Sequence, residues 1–294
     1  MGEHNTDDDM SDLKADGPNS DQIEYWNGDT GDKWVDAQEK LDPVLEPAGL
    51  VVMDKVGVRP GETVIDIGCG CGATSLELAQ RVGPMGRLLG VDISIPMLRR
   101  AGERAAALGL AHTAFINADA SNYRFEAGAA DLVFSRYGVM FFTNRVEAFA
   151  NIRKGLKDDG RLGFICWQPL DKNEWVLLPR DVALRHVPAP EPMDPLAPGP
   201  FAFSDPDRVR GILGEAGFQD IAIDSHEPFM SNPGTLDEVT NFLTYFGPAS
   251  RLIADADDAT KKAVENEVRE AIAPRHDGKG VALKAAMWIV TARA

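Results

Sequence analysis

Along residues 58–168 the apolar positions fall into short blocks that alternate between two periods. "TVIDIG", "GRLLGVDIS", "TAFINADA", "DLVFSRYG" and "DDGRLGFICW" are apolar runs of strand length. Between them "ATSLELAQRV" spaces its apolar residues as a helix does. "SIPMLRRAGERAAAL" sets Ile95, Leu98, Ala101, Ala105 and Leu108 on one helical face, with Ser94 as its cap. "NRVEAFANIRKGL" stacks Val146, Phe149, Arg153 and Leu156 in the same way. Strands alternating with helices at this rhythm predict a parallel, doubly wound α/β sheet, whose ligands sit at the carboxyl ends of the strands.

Outside this stretch the pattern loosens. "IEYWNGDTGDKWVDAQEKLDPVLEPAGLVVMDKV" carries apolar patches broken by Pro43 and Pro47, which predicts short helices leading into the sheet. Past Trp167 the prolines multiply, as in an irregular lid. In "SDPDRVRGILGEAGF", Ser204 and Asp207 have capping-box spacing ahead of a stripe of Val209, Ile212, Leu213 and Ala216. "QDIAIDS" reads as a sixth strand. Thr235 and Glu238 form another box before Val239, Phe242, Leu243 and Phe246, and "VALKAAMWIVTAR" reads as the last strand. The organisation expected is a disordered acidic tail over 1–22, a helical cap over 23–57, a ligand-binding core over 58–168 and a proline-rich lid over 169–203. Residues 204–294 then complete the core, with a helical insertion at 230–280.

Composition narrows the function. A chain of 294 residues with 44% hydrophobic content can fill a substantial core, and its net charge of −16 opposes binding to a phosphate backbone. No nucleic-acid partner is expected. Three cysteines suggest no disulfide framework and fit a reducing compartment. No run approaches the roughly 18 apolar residues of a membrane span, and the acidic N-terminus lacks the features of a signal peptide, so a cytoplasmic location is expected. Oligomeric state is left open.

The chemistry centres on "VIDIGCGCG". Gly68, Gly70 and Ala73 satisfy the dinucleotide fingerprint G-x-G-x-x-[GA], and Asp92 lies about 20 residues on, where a ribose-binding acid belongs. A nicotinamide-dependent oxidoreductase is therefore one reading. Three features favour another. Glycine at every second position, 68, 70 and 72, leaves the loop bare along one side for close approach of a ligand. Asp66 stands beside where a pyrophosphate would lie, repelling its charges but attracting a cation. No GK[ST] follows, so no triphosphate loop is present. Cys69 and Cys71 lack the further ligands of a structural zinc site, and no metal is expected.

In this light "VIDIGCGCG" resembles motif I of class I S-adenosylmethionine (SAM)-dependent methyltransferases, hhD/E-h-G-x-G-x-G. "GVDIS", "NADA", "DLVFSRYGVMFF" and "LKDDGRLGFICW" match that family's following motifs in order, with the flavour of the small-molecule methyltransferases of quinone biosynthesis. The resemblance implies a Rossmann-like, doubly wound, mostly parallel seven-stranded sheet with a helical N-terminal segment and lid insertions. It also implies SAM as cofactor. Gly68, Cys69 and Gly70 would face the methionine part, with Asp66 near its amino group and Ser135 offering a carbonyl. Asp92 would accept from both ribose hydroxyls. Asp119 would accept from the adenine amino group with Ala120 beside it, and Ile93 or Met97 would pack on the ring. Tyr25 and Trp26 would close over the cofactor.

The resemblance implies methyl transfer to a small molecule by in-line displacement, for which a general base is optional. The candidates for a catalytic role are Arg136, Tyr137, His226 and His276. Trp167, at the end of the fifth strand, reads either as the floor of the pocket or as core. Trp175, Phe201, Phe203, Phe229, Phe242, Tyr245 and Phe246 suggest an apolar or aromatic acceptor, or serve only to pack the lid. A SAM-binding protein that transfers nothing is the remaining alternative.

Overall fold

The computed structural model describes residues 13–191, 194, 196–246 and 248–294. Helices α1 (Ser20–Asn27) and α2 (Asp29–Val56) lead into β1 (Thr63–Ile67), α3 (Ala73–Val82), β2 (Arg87–Asp92), α4 (Ile95–Ala107), β3 (Thr113–Asn117), β4 (Ala130–Arg136), α5 (Arg145–Gly155) and β5 (Leu156–Trp167). Then come α6 (Glu174–Ala183), α7 (Pro206–Glu215), β6 (Gln219–His226), β7 (Phe229–Pro233), α8 (Leu236–Tyr245), α9 (Pro248–Leu252), α10 (Asp258–Ile272), β8 (Gly280–Lys284) and β9 (Met287–Arg293).

Seven strands form one sheet in the order β3-β2-β1-β4-β5-β9-β6, in which only β9 runs antiparallel to its neighbours. This is the Rossmann-like, doubly wound sheet that the alternating pattern predicts. The central strands are buried on both faces, and Leu132, Val133 and Phe134 of β4 are inaccessible to solvent. Strand order reverses between β1 and β4, which opens a crevice at their carboxyl ends.

Several local expectations are corrected. The broken helices expected around Pro43 and Pro47 are one 28-residue helix, α2. Both prolines lie on its exposed side, where the carbonyls they leave unpaired can hydrate. Its opposite side buries Leu41, Val44, Leu45, Ala48, Val52 and Met53, which holds the helix together. The cap of α7 is Asp205, accepting from the N–H groups of Asp207 and Arg208, rather than Ser204. The Thr235–Glu238 box forms as expected. In α5 the buried residues are Ala148, Phe149, Ile152 and Gly155 rather than Val146 and Arg153, and Leu156 already belongs to β5.

The proline-rich lid contains α6, and the segment expected as a helical insertion is closed by a two-stranded ribbon of β7 and β8. That unit has an apolar cluster of its own, including Val239, Leu243, Val264, Val268, Ile272, Val281 and Leu283. The single last strand expected is split at Ala285 and Ala286, whose N–H groups turn aside to the carbonyl of Pro228 and to Asn173 Oδ1. Residues 1–12 of the expected tail lie outside the described residues. The N–H of Leu13 donates to Asn117 Oδ1 over 3.1 Å, residues 14–18 are exposed, and Asn19 is buried again. Among the described residues no helix is long and apolar enough to cross a membrane.

Candidate cofactor and active site

The loop after β1 is held by its glycines. Gly68, Gly70 and Gly72 have φ of 66°, 54° and 82°, a region that suits glycine. A Cβ on Gly70 would come 2.8 Å from Met97 Cε, and one on Gly72 would come 2.9 Å from Ala101 Cβ. Protein therefore covers the bare side of the loop that was expected to face a ligand at these two glycines. The glycines let α4 pack directly on the loop.

The two carboxylates of the crevice are built differently. Asp66 is fully buried, and its Oδ2 accepts from Thr74 Oγ1 at 2.7 Å and Ser75 Oγ at 2.6 Å. Its Oδ1 is buried with no hydrogen-bond partner among the described residues. Burial pushes its pKa up to about 6, against the opposing pull of the two hydroxyls and Arg136. An ionisable group that is buried and half-satisfied at the mouth of a crevice calls for a cation or donor there. Asp92 accepts the N–H of Gly70 on Oδ2 at 2.7 Å and that of Ser94 on Oδ1 at 2.9 Å. Each oxygen keeps lone-pair capacity, so the carboxylate can still receive two hydroxyl groups. Burial raises its pKa, opposed by these N–H groups. These acceptors therefore fit a ligand with an ammonium at one end and a ribose diol beside it.

Asp119 is buried, and its Oδ2, with one donor among the described residues, keeps acceptor capacity. Asn19 Nδ2 donates to its two oxygens at 3.1 and 2.9 Å, and the N–H of Ser121 donates to Oδ1 at 2.8 Å. Asn19 Oδ1 in turn accepts the N–H of Thr143 at 2.9 Å. Ala120 is buried next to it and gives its carbonyl to Asn151. Ser135 joins the ends of β4 and β1, its hydroxyl donating to the carbonyl of Ile67 at 2.7 Å.

The cap lies over the loop after β2. Asn27 donates to the carbonyl of Ile93 and accepts the N–H of Ile95, and Ser94 Oγ donates to the carbonyl of Trp26 at 2.7 Å. Ser94 thus tethers the cap instead of capping α4 with its side chain. Trp26 meets Tyr25, Trp34 and Phe141 edge-on, and Tyr25 meets Arg251 of α9 through its hydroxyl and its ring face. Trp34 also packs on Phe246, so cap and insertion touch.

The catalytic candidates do not come together. Arg136 and Tyr137 follow each other at the end of β4. Tyr137 has φ of 61°, and its ring stacks on Trp167 with centroids 4.3 Å apart. Burial drives its pKa well up, and its hydroxyl points to Met287 Sδ, so it stays protonated and is a poor base. His226 ends β6, three strands from β4 in sheet order. Partial burial lowers its pKa. His276 lies beside the ribbon with Nε2 on the carbonyl of Gly234 and Nδ1 facing the N–H of Gly278. Both nitrogens are engaged in holding a turn.

Of the aromatic residues read as possible pocket, Phe203 is fully buried in the core against Phe149 and Phe164, and Phe229 is exposed. Cys69 and Cys71 are buried thiols whose pKa burial raises, for Cys71 to about 12. They are protonated at neutral pH. Asn19, Asn27, Thr74 and Ser75 were not singled out in the sequence. Only Thr74 and Ser75 carry a signal, as hydroxyls in the first helical turn after an acid-bearing strand.

Comparison with known proteins gives this site its class. Residues 64–160 match the family model described as a methyltransferase domain. Nocamycin O-methyltransferase of Saccharothrix syringae is 33% identical over 185 residues, 60% of this chain and 66% of that protein. Aklanonic acid methyltransferase DauC of Streptomyces sp. (strain C5) is 36% identical over 118 residues, 40% of this chain and 54% of that protein. The matched part thus spans between half and two thirds of these relatives' own lengths. Among solved structures the [4+2]-cyclase SpnF superposes with a TM-score of 0.54 at 17% identity, covering 96% of this chain and 98% of that one, which shows a shared fold. Through residues 64–160 the chain carries a methyltransferase domain. The nicotinamide reading of the glycine loop is set aside by this match.

Proposed function

We propose that this protein transfers a methyl group from SAM to a small apolar or aromatic molecule by in-line displacement. The observation that carries the reading is the pairing of Asp66 Oδ1, buried without a partner among the described residues, with the unfilled acceptor capacity of Asp92 at the β1–β4 switch point. Asp66 would hold the ammonium, Asp92 the ribose hydroxyls, and Asp119 with Ala120 the adenine edge. Ile93 and Met97 would flank the ring, while the backbone of Gly68, Cys69 and Gly70 and the carbonyl of Ser135 border the methionine end. When bound, the donor supplies an already activated methyl group on its sulfonium.

What this chain must add is orientation and exclusion of water. Trp26, Trp34, Phe141 and Phe246 connect cap, core and insertion in one aromatic chain at the crevice, and Tyr137 and Trp167 stack at the end of β4 and β5. A wall of this kind suits an apolar or aromatic acceptor. Among the described residues His226 and His276 lie away from the switch point, so an acceptor that ionises without help from a histidine fits best. Mass spectrometry of the purified protein for retained SAM or S-adenosylhomocysteine tests the donor. An acceptor screen with a labelled methyl donor tests transfer, and separates this reading from a SAM-binding protein that transfers nothing. Asp92→Ala is expected to weaken donor binding, and unchanged affinity would sink the assignment.

A further inference from the structure

Arg136 is half-buried, and its guanidinium has no hydrogen-bond or ion-pair partner among the described residues. Its place is specific. β4 pairs with β1 so that Phe134 lies beside Asp66, and Arg136, two residues further on, projects from the same face. A Cβ built on Gly49 of α2 would stand 3.5 Å from Arg136 Cδ and 3.2 Å from Thr74 Cγ2. The arginine stem therefore runs between α2 and the first turn of α3, where Thr74 and Ser75 hold Asp66. Asp42, the other acid that draws on it, already receives Arg104 at 2.7 Å and Gln38 at 2.6 Å. Tyr137, by contrast, turns away in a left-handed conformation to stack on Trp167.

An acid with one unfilled oxygen and an arginine with no partner thus share one corner of the crevice without pairing to each other. A ligand bearing both a cation and an anion on adjacent atoms satisfies both. We infer that Arg136 is a binding residue for the α-carboxylate of the methyl donor, forming with Asp66 a two-sided clamp on its amino-acid end. The inference rests on the proposed function and assigns Arg136 to the donor rather than to the acceptor or to catalysis. A guanidinium can take a carboxylate through two parallel hydrogen bonds, which a lysine cannot reproduce.

The test is calorimetric titration of the full chain, wild type, Arg136→Gln and Arg136→Lys, with three ligands. S-adenosylhomocysteine has the whole amino-acid end, decarboxylated SAM keeps only the ammonium, and 5′-methylthioadenosine has neither group. Arg136→Gln is expected to bind S-adenosylhomocysteine about 10- to 100-fold more weakly, with Arg136→Lys in between. Its affinity for the other two ligands should stay within about threefold of wild type, because neither carries the group the arginine holds. Equal losses for all three ligands, or no loss for S-adenosylhomocysteine, would overturn the inference. So would a change confined to the KM of an acceptor. Failure of the wild type to bind S-adenosylhomocysteine would instead remove the donor reading itself, and the clamp with it. Thermal melts of each variant identify any that fails to fold, and Arg136→Lys keeps the test open if the glutamine variant does.

Discussion

Gly68 and Gly138 meet backbone to backbone: a Cβ on Gly68 would stand 2.6 Å from Gly138 Cα, and one on Gly138 would stand 2.8 Å from Gly68 Cα. The loops after β1 and β4 are thereby locked together at the switch point. Gly138 has φ of −89°, open to any residue, whereas Gly68 is left-handed. Gly138→Ala therefore tests crowding without backbone strain, its Cβ also meeting the carbonyl of Ile67 at 2.6 Å, and should cost about 1–3 kcal/mol through overpacking. Gly68→Ala should cost about 1 kcal/mol more from its backbone strain. Both should weaken S-adenosylhomocysteine binding, and melting with and without that ligand separates the two effects.

Asp66 makes stability and binding pull in opposite directions with pH. Its ordinary pKa of 3.8 rises to about 6 in the fold, so the folded protein holds the proton more tightly than the unfolded chain. The resulting stabilisation is complete below about pH 4 and is lost as pH rises through about 6. That loss is about 3 kcal/mol at neutral pH. Asp66→Asn should therefore flatten the stability profile and melt above wild type at pH 7.5. Donor binding should do the reverse, weakening in wild type below about pH 6 as the carboxylate protonates, and in the variant at every pH.

Asn19 pins the start of the cap to Asp119 and to Thr143. Asn19→Ala leaves a buried carboxylate short of a donor and should cost about 1–3 kcal/mol. Hydrogen exchange of α1 and of the chain from Leu13 onward should quicken while the sheet stays protected. Uniform protection along the chain would show that the cap does not depend on this residue.

Tyr25 and Arg251 join cap to insertion near the surface, with Tyr25 37% exposed. Tyr25→Phe should change the melting temperature little, since an exposed contact of this kind contributes below about 1 kcal/mol. Exchange at α9 should nevertheless rise. A large stability loss would mean that the contact holds more of the fold than its exposure implies.

Much of the architecture is legible along the chain. Near-continuous apolar runs could only be central strands, helical stripes could only be their crossovers, and Asp66, Asp92 and the three glycines sit at fixed offsets from those runs. These are local properties, carried by residues close in sequence. What the chain could not announce is where distant residues meet. Asn19 and Asp119 are 100 positions apart, and no periodicity links them. Pro43 and Pro47 argue locally for a break, yet burial of the opposite face carries α2 through both. The glycines at 70 and 72 suggested an open surface, and only the packing of α4 filled it. Likewise Arg136 read as one residue after a strand. Its meaning came from the β1–β4 pairing, which sets it beside Asp66, because side chains from different strands share a face only once the sheet has chosen its order.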